Sequence, residues 1–119
     1  MTECLHKIQE ETLMPKLVVI YPYPADVEKF EDDYLNKHIP MAQENIQGMS
    51  KFILTRVLAT PDGSRPAFYR IAEIHFPTME ALQATAASPG MQKAVEHAVS
   101  ISSGGPPHFF VAEEEVTEL

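Results

Sequence analysis

Four runs rich in β-branched and aromatic residues alternate with helical stretches, and their order constrains the fold more than any single motif. Lys16-Leu17-Val18-Val19-Ile20-Tyr21 is the first run. It stops at Pro22-Tyr23-Pro24, where proline cannot continue a ladder of backbone donors. Asp26 then stands where a helix cap belongs, and Val27, Phe30, Tyr34, His38 and Met41 recur every three or four residues along one face. Glu28, Glu31, Asp32 and Lys37 take the other side. Pro40 disfavours helical geometry at Ile39, so the helix is predicted to bend or break beside His38, to resume at Met41-Ala42 and to end at Gly48.

Phe52 to Ala59 reads as a second strand, Thr60-Pro61-Asp62-Gly63-Ser64 as a turn, and Phe68 to Phe76 as the hairpin partner. A helix is expected from Thr78 through Ala87. Ser88-Pro89 opens another helical piece carrying Met91, Val95, Ala98 and Val99, with proline suited to a first turn. The loop Ser102-Ser103-Gly104-Gly105-Pro106-Pro107 leads to a last strand, His108 to Ala112, and Glu113 to Glu118 reads as a solvated acidic tail. The order β-α-β-β-α-β is the ferredoxin-like split arrangement: an α+β protomer whose four-stranded antiparallel sheet has both helices on one face. The strands supply apolar residues in both parities, Phe52 and Leu54 against Ile53 and Val57. The second face therefore needs cover too, and a homodimer through the open sheet face is the economical source.

Length allows one domain, 16–119, preceded by an extension, 1–15. In that extension Leu5, Ile8 and Leu13 stand at nearly helical spacing before Pro15. This suits a short helix, an ordered arm or a loose end. No apolar run approaches the roughly 20 residues of a bilayer span, and the start lacks the pattern of a secretory signal, so no membrane association and a cytoplasmic location are expected. Seventeen acidic against nine basic residues give a net charge of -8. That balance opposes a phosphate backbone, and nucleic acid is not an expected partner. Cys4 is the single cysteine and reads as a bystander.

The Tyr21-Pro22 strand end, the helix from Tyr34 to His38-Ile39-Pro40, the turn Leu58-Ala59-Thr60-Pro61-Asp62-Gly63 and the strand Tyr69-Arg70-Ile71-Ala72-Glu73 together resemble the EthD family of dimeric α/β barrels. The likeness runs from about Lys16 to Glu114. It implies a ferredoxin-like protomer that pairs sheet to sheet, with a pocket between each sheet and its helices. Related barrels act as cofactor-free cyclases, dehydratases, decarboxylases, lactone isomerases and monooxygenases, while EthD-type proteins include accessory proteins of ether degradation. Fold alone does not choose among these.

His38 is the leading candidate for a general acid/base, because imidazole changes charge near neutrality; the plainer reading is that it caps a kinked helix. Tyr34 lies one turn earlier on the same face and can orient a substrate oxygen or the imidazole, or simply pack. Tyr21, Tyr69 and Phe30 are the candidates for substrate contact. Glu73 and His75 are read as sharing a strand face with Tyr69 and Ile71. If that face meets the helices, Glu73 becomes a third catalytic candidate beside His38; if it meets the dimer seam, Glu73 is structural. His38, His75, Glu73 and His108 lack the spacing of a preassembled metal site, and no metal is expected. Gly104-Gly105 is followed by two prolines that remove the donors of a phosphate cradle, and no cofactor is expected. Three readings follow: a cofactor-free acid/base enzyme for a small hydrophobic, aromatic or polyketide-like molecule; a non-catalytic accessory protein serving an oxygenase; and a dimer whose pocket is filled by its own side chains.

Overall fold

Strand pairing sorts the side chains onto two unlike faces. The computed structural model describes residues 14–119, so the readings of the N-terminal extension and of Cys4 lie outside the described residues. Strands β1 (Met14–Pro22), β2 (Lys51–Arg56), β3 (Phe68–His75) and β4 (His108–Glu114) form one sheet in the order β2-β3-β1-β4. Every neighbouring pair is antiparallel. Helices α1 (Val27–Asp33), α2 (Ile39–Asn45), α3 (Met79–Ala86) and α4 (Pro89–Ile101) complete the ferredoxin-like order, with a π-helical turn at Tyr34–His38 joining α1 to α2. The caps are those the sequence offers. Asp26, Thr78 and Ser88 accept the backbone N–H groups of Lys29, Ala81 and Met91, and Pro89 fills the first turn of α4.

Val19 and Tyr21 pack against Phe30, Tyr34, Ala98 and Ile101, so this parity of β1 faces the helices. Lys16, Val18 and Ile20 must then point the other way. Their ladder partners share that open face: His75, Glu73 and Ile71 on β3, and Ala112, Phe110 and His108 on β4. Ile53 of β2 joins them opposite Glu73. The register slips between Tyr21, which pairs with Arg70, and Pro22, which pairs with Phe68, leaving Tyr69 as an extra residue. This bulge turns both Tyr69 and Arg70 toward α1, where both are buried. The expectation that Tyr69 shares a face with Glu73 and His75 is thereby corrected.

Other boundaries differ for local reasons. The helix at Pro40 does not break. Ile39 stays helical (φ -62°, ψ -47°), and its N–H reaches back five residues to the Tyr34 carbonyl. The widened π turn leaves Pro40 in the opening turn of α2, where its missing donor costs nothing. Strand β2 ends at Arg56 rather than Ala59, with only the Val57 N–H continuing to the Tyr69 carbonyl (2.8 Å). Strand β4 instead runs on to Glu114, because β1 begins at Met14 and pairs with it. Glu113 and Glu114 thus belong to the sheet and not to a solvated tail. In α4 the buried stripe is Met91, Ala94, Ala98 and Ile101, while Val99 points outward. Gly90 lets α4 start against the end of α2: a β-carbon there would lie 2.0 Å from the Asn45 carbonyl oxygen. No helix among the described residues is long and apolar enough to cross a membrane.

Candidate functional site

Residues four apart along α1 and the π turn place their rings in a column. Phe30 stacks on Tyr34 (centroids 5.5 Å apart, 14° between planes) and Tyr34 stacks on His38 (6.0 Å, 19°). Across on α4 the His97 ring meets His38 edge to edge, its centroid 5.0 Å away and its plane within 9°. Tyr21 of β1 stands edge-on to Phe30, Tyr34 and His38. Such edge-to-face contacts are favoured by the ring quadrupole and fix each ring's orientation.

Two contacts hold the His38 imidazole. Its Nε2 lies 3.3 Å from the Tyr21 hydroxyl, and its Nδ1 lies 2.8 Å from Nδ1 of His97. Burial, helped by the neighbouring His97, pulls the His38 pKa from 6.5 down to about 4, so at neutral pH the ring is uncharged. Burial pushes the Tyr21 phenol the opposite way, so it keeps its proton. His97 escaped the sequence reading, although it sits three residues after Ala94 and four before Ile101, within the helical spacing of the buried stripe.

Tyr21 and His38 form the polar end of a cavity of about 350 Å³ between the sheet and helices α2 and α4. Leu17, Val19, Ile39, Ala42, Met91 and Phe109 are among its walls, and among the described residues no lysine, arginine, aspartate or glutamate lines it. Phe109 and Val111, on the edge strand β4, pair with Val19 and Leu17 and remain 42% and 61% exposed, which marks the accessible side. Among the described residues of one protomer, no side chain fills this space.

The remaining candidates divide. Phe30, Tyr34 and Tyr69 are buried behind the cavity and do not line it. Tyr34 is fully buried, with no hydrogen-bond partner for its hydroxyl among the described residues and the Arg70 guanidinium 5.1 Å from its ring centre. Burial raises its phenol pKa. Tyr69 donates its hydroxyl to Glu31, whose two carboxylate oxygens also both accept from one guanidinium nitrogen of Arg70, Nη2 (3.0 and 2.8 Å). Burial of the Glu31 carboxyl works against its ionisation, but the bonds from Arg70 and Tyr69 outweigh it and hold the pKa low. Glu31 therefore turns inward, not to the solvent side predicted for it, and it fixes the bulge of β3 to α1.

Glu73 is on the open face, so the sheet itself separates it from His38. There it bonds the Lys16 ammonium. His75 stands between two carboxylates, Nε2 at 3.7 Å from Glu73 and Nδ1 at 3.4 Å from Glu114. The ligand atoms of Glu73, His75 and Glu114 lie within 4.8 Å of one another, the one grouping among the described residues with the side chains and spacing of a metal site. Lys16, 3.7 Å from Glu114 as well, already supplies a cation to that cluster. Glu114 was hidden in the sequence because an acidic run normally signals solvent.

The antiparallel sheet and its one-sided helices, with a cavity between them, define a ferredoxin-like α+β protein. The EthD domain model matches residues 23–99, and the chain belongs to the EthD family. An uncharacterised 11.0 kDa protein from the thcB-thcC intergenic region of Rhodococcus erythropolis is 30% identical over 103 residues, 87% of this chain and 98% of that one. An EthD-family crystal structure from Bacillus halodurans superposes with a TM-score of 0.78 at 26% identity, over 86% of this chain and 99% of that one. A hydroxynitrile lyase from Passiflora edulis shares the fold (TM-score 0.63, 13% identity, 91% and 97% covered). Proteins from Bacteroides fragilis and a Jannaschia species with the same fold, at 14% and 18% identity, are dimeric.

Proposed function

We propose that the chain is a cofactor-free acid/base enzyme acting on a small, uncharged, aromatic or polyketide-like molecule, with His38 exchanging the proton and Tyr21 orienting the substrate oxygen. The observation that carries this is the Tyr21–His38 pair at the polar end of an otherwise apolar cavity. A neutral imidazole kept free of its proton is a base, and a protonated phenol beside it is a donor for a developing oxyanion. A carboxylate ligand would leave water without a cation to meet it, a cost that favours uncharged substrates. Proton removal beside a carbonyl or phenol serves isomerisation, cyclisation, dehydration and decarboxylation alike. That a protein of the same fold is a hydroxynitrile lyase fits an enzyme acting on small molecules. The protomer pairs as a homodimer through the open sheet face, where Val18, Ile20, Ile53, Ile71 and Phe110 await cover.

The test uses enolisable aryl ketones and phenolic lactones in D2O, with binding followed by thermal shift and carbon-bound hydrogen exchange by NMR. The wild type should exchange deuterium into a bound ketone. His38→Ala should slow this by about 10²-fold or more while binding persists. Compounds that bind the wild type without exchange would instead support the accessory-protein reading. Exchange that survives His38→Ala would remove His38 from the chemistry.

A further inference from the structure

A lone buried imidazole at the bottom of an apolar cavity is a poor proton carrier, because each proton it takes becomes a charge stranded away from water. His38 is not alone. Its Nδ1 meets Nδ1 of His97 at 2.8 Å, and His97 is half-buried on α4, reaching toward solvent. Two ring nitrogens at that distance share one hydrogen, so one ring donates and the other accepts. Which does which follows from Tyr21. Its hydroxyl is 1% exposed as a residue, and His38 Nε2 is its one partner among the described residues. A phenol turned elsewhere would bury its hydrogen unsatisfied, so Tyr21 donates to Nε2. His38 then carries its own hydrogen on Nδ1 and donates it to Nδ1 of His97, which keeps its hydrogen on Nε2.

Resting on the acid/base reading of this cavity, we propose that His97 is the proton relay of His38, the two rings forming a neutral wire between cavity and solvent. Once a bound substrate's oxygen draws the Tyr21 hydrogen bond to itself, Nε2 of His38 is free to take a proton from the substrate; the hydrogen on Nδ1 then passes to Nδ1 of His97, and His97 gives up a proton from Nε2 to water. Both rings end neutral, each having moved its hydrogen to the other nitrogen, and the reverse sequence returns a proton to the product. The low His38 pKa agrees with this design, since the ring hands on charge instead of storing it. The two rings meet edge to edge with only 9° between their planes, which aims one Nδ1 at the other, and the Tyr34 ring packed beside His38 limits its movement.

Long-range 15N–1H NMR of the intact protein with labelled histidine tests the wire without any substrate. The expected spectrum has His38 protonated on Nδ1, His97 on Nε2, and a 15N–15N coupling across the shared hydrogen. His38 protonated on Nε2, or no coupling between the rings, would overturn the proposal whether or not the protein is an enzyme. With a ketone that exchanges deuterium, His97→Ala should lose on the order of tenfold or more in exchange, and added imidazole should restore it. Loss that imidazole does not rescue, with ketone binding unchanged, would reduce His97 to packing. Undiminished exchange would also refute the relay. Failure of His38→Ala to affect exchange would count against the acid/base reading itself, a separate result.

Discussion

Each face of the sheet holds a buried histidine, and the two keep opposite company. On the helix-covered face His38 sits among rings and aliphatic walls with one phenol and one imidazole as polar partners. On the open face His75, only 4% exposed, stands between Glu73 and Glu114 with Lys16 beside them. The first environment suppresses charge; the second collects it. The covered face packs its core among the described residues, and its cavity opens on the β4 side. The open face mixes buried charges with an apolar Phe110 that is still 51% exposed, a pattern that suits a surface finished by another protomer. The proposed chemistry and the proposed dimer seam thus lie on opposite sides of one layer of backbone.

The sharpest way to break this contrast is to truncate one phenylalanine on each side. Phe30→Ala removes a ring packed against Tyr21, Tyr34 and Tyr69 and should cost about 3–5 kcal/mol in urea unfolding. Phe110→Ala should change the stability of the isolated protomer by about 1 kcal/mol or less, yet weaken dimerisation, read as a concentration-dependent fall in mass by light scattering. Equal stability losses would mean that the two faces are not different in kind.

Acid should separate the faces next. The folded pKa of His38 is lowered, so between about 4 and 6.5 the unfolded chain binds the proton and the folded chain does not. Stability from this group is therefore full above pH 6.5 and is lost as pH falls toward 4, to the extent of about 2–3 kcal/mol. The wild type should lose that much more than His38→Gln between pH 7 and 4.5 in matched denaturant titrations. Parallel curves would mean that His38 is solvated in solution.

The smallest effect belongs to the open face. Lys16→Met removes the cation from the Glu73–His75–Glu114 cluster, and for so partly exposed a network the protomer should lose about 1 kcal/mol or less. A loss of several kcal/mol would show that the cluster is sealed from water in the assembled protein.

Much of this arrangement was legible in the residues. Period-two and period-four spacing located the described strands and helices, Asp26 was read as a cap and Thr78 and Ser88 as helix starts, and the uncovered sheet face followed from apolar residues in both parities of β2. The pairing of Tyr21 with His38 was approachable, since one ends the first strand and the other ends the aromatic helix face. What periodicity could not supply was a change of phase. The bulge at Tyr69 sends two consecutive side chains the same way, so a strict alternation rule put Tyr69 with Glu73. Arg70 keeps the inward parity of Ala72 and Ile74, and it and Glu31 were missed because charged residues normally turn to solvent. Glu114 was lost in a run of acids, because only the pairing of β4 with Met14 and Pro15 distinguishes it from its solvated neighbours. His97 obeyed the helical spacing but was masked by small alanines on either side.

The π turn at Tyr34–His38 has a consequence for how this protein can vary. Such a turn is a helix carrying one surplus residue, and a helix advances about 100° per residue. Deleting any single residue from 34–38 would let α1 and α2 merge into one regular rod, with a more conventional backbone than before. It would also rotate one side of that rod against the other by more than a quarter of a turn. Phe30 and Tyr34 could not then keep facing Tyr21 while His38 faced His97, and Ile39 and Ala42 would leave the cavity wall. The irregular segment acts as a fixed phase offset: regularising it would lose the site without unfolding the helix, so the length of this segment matters to the site as much as the imidazole at its end.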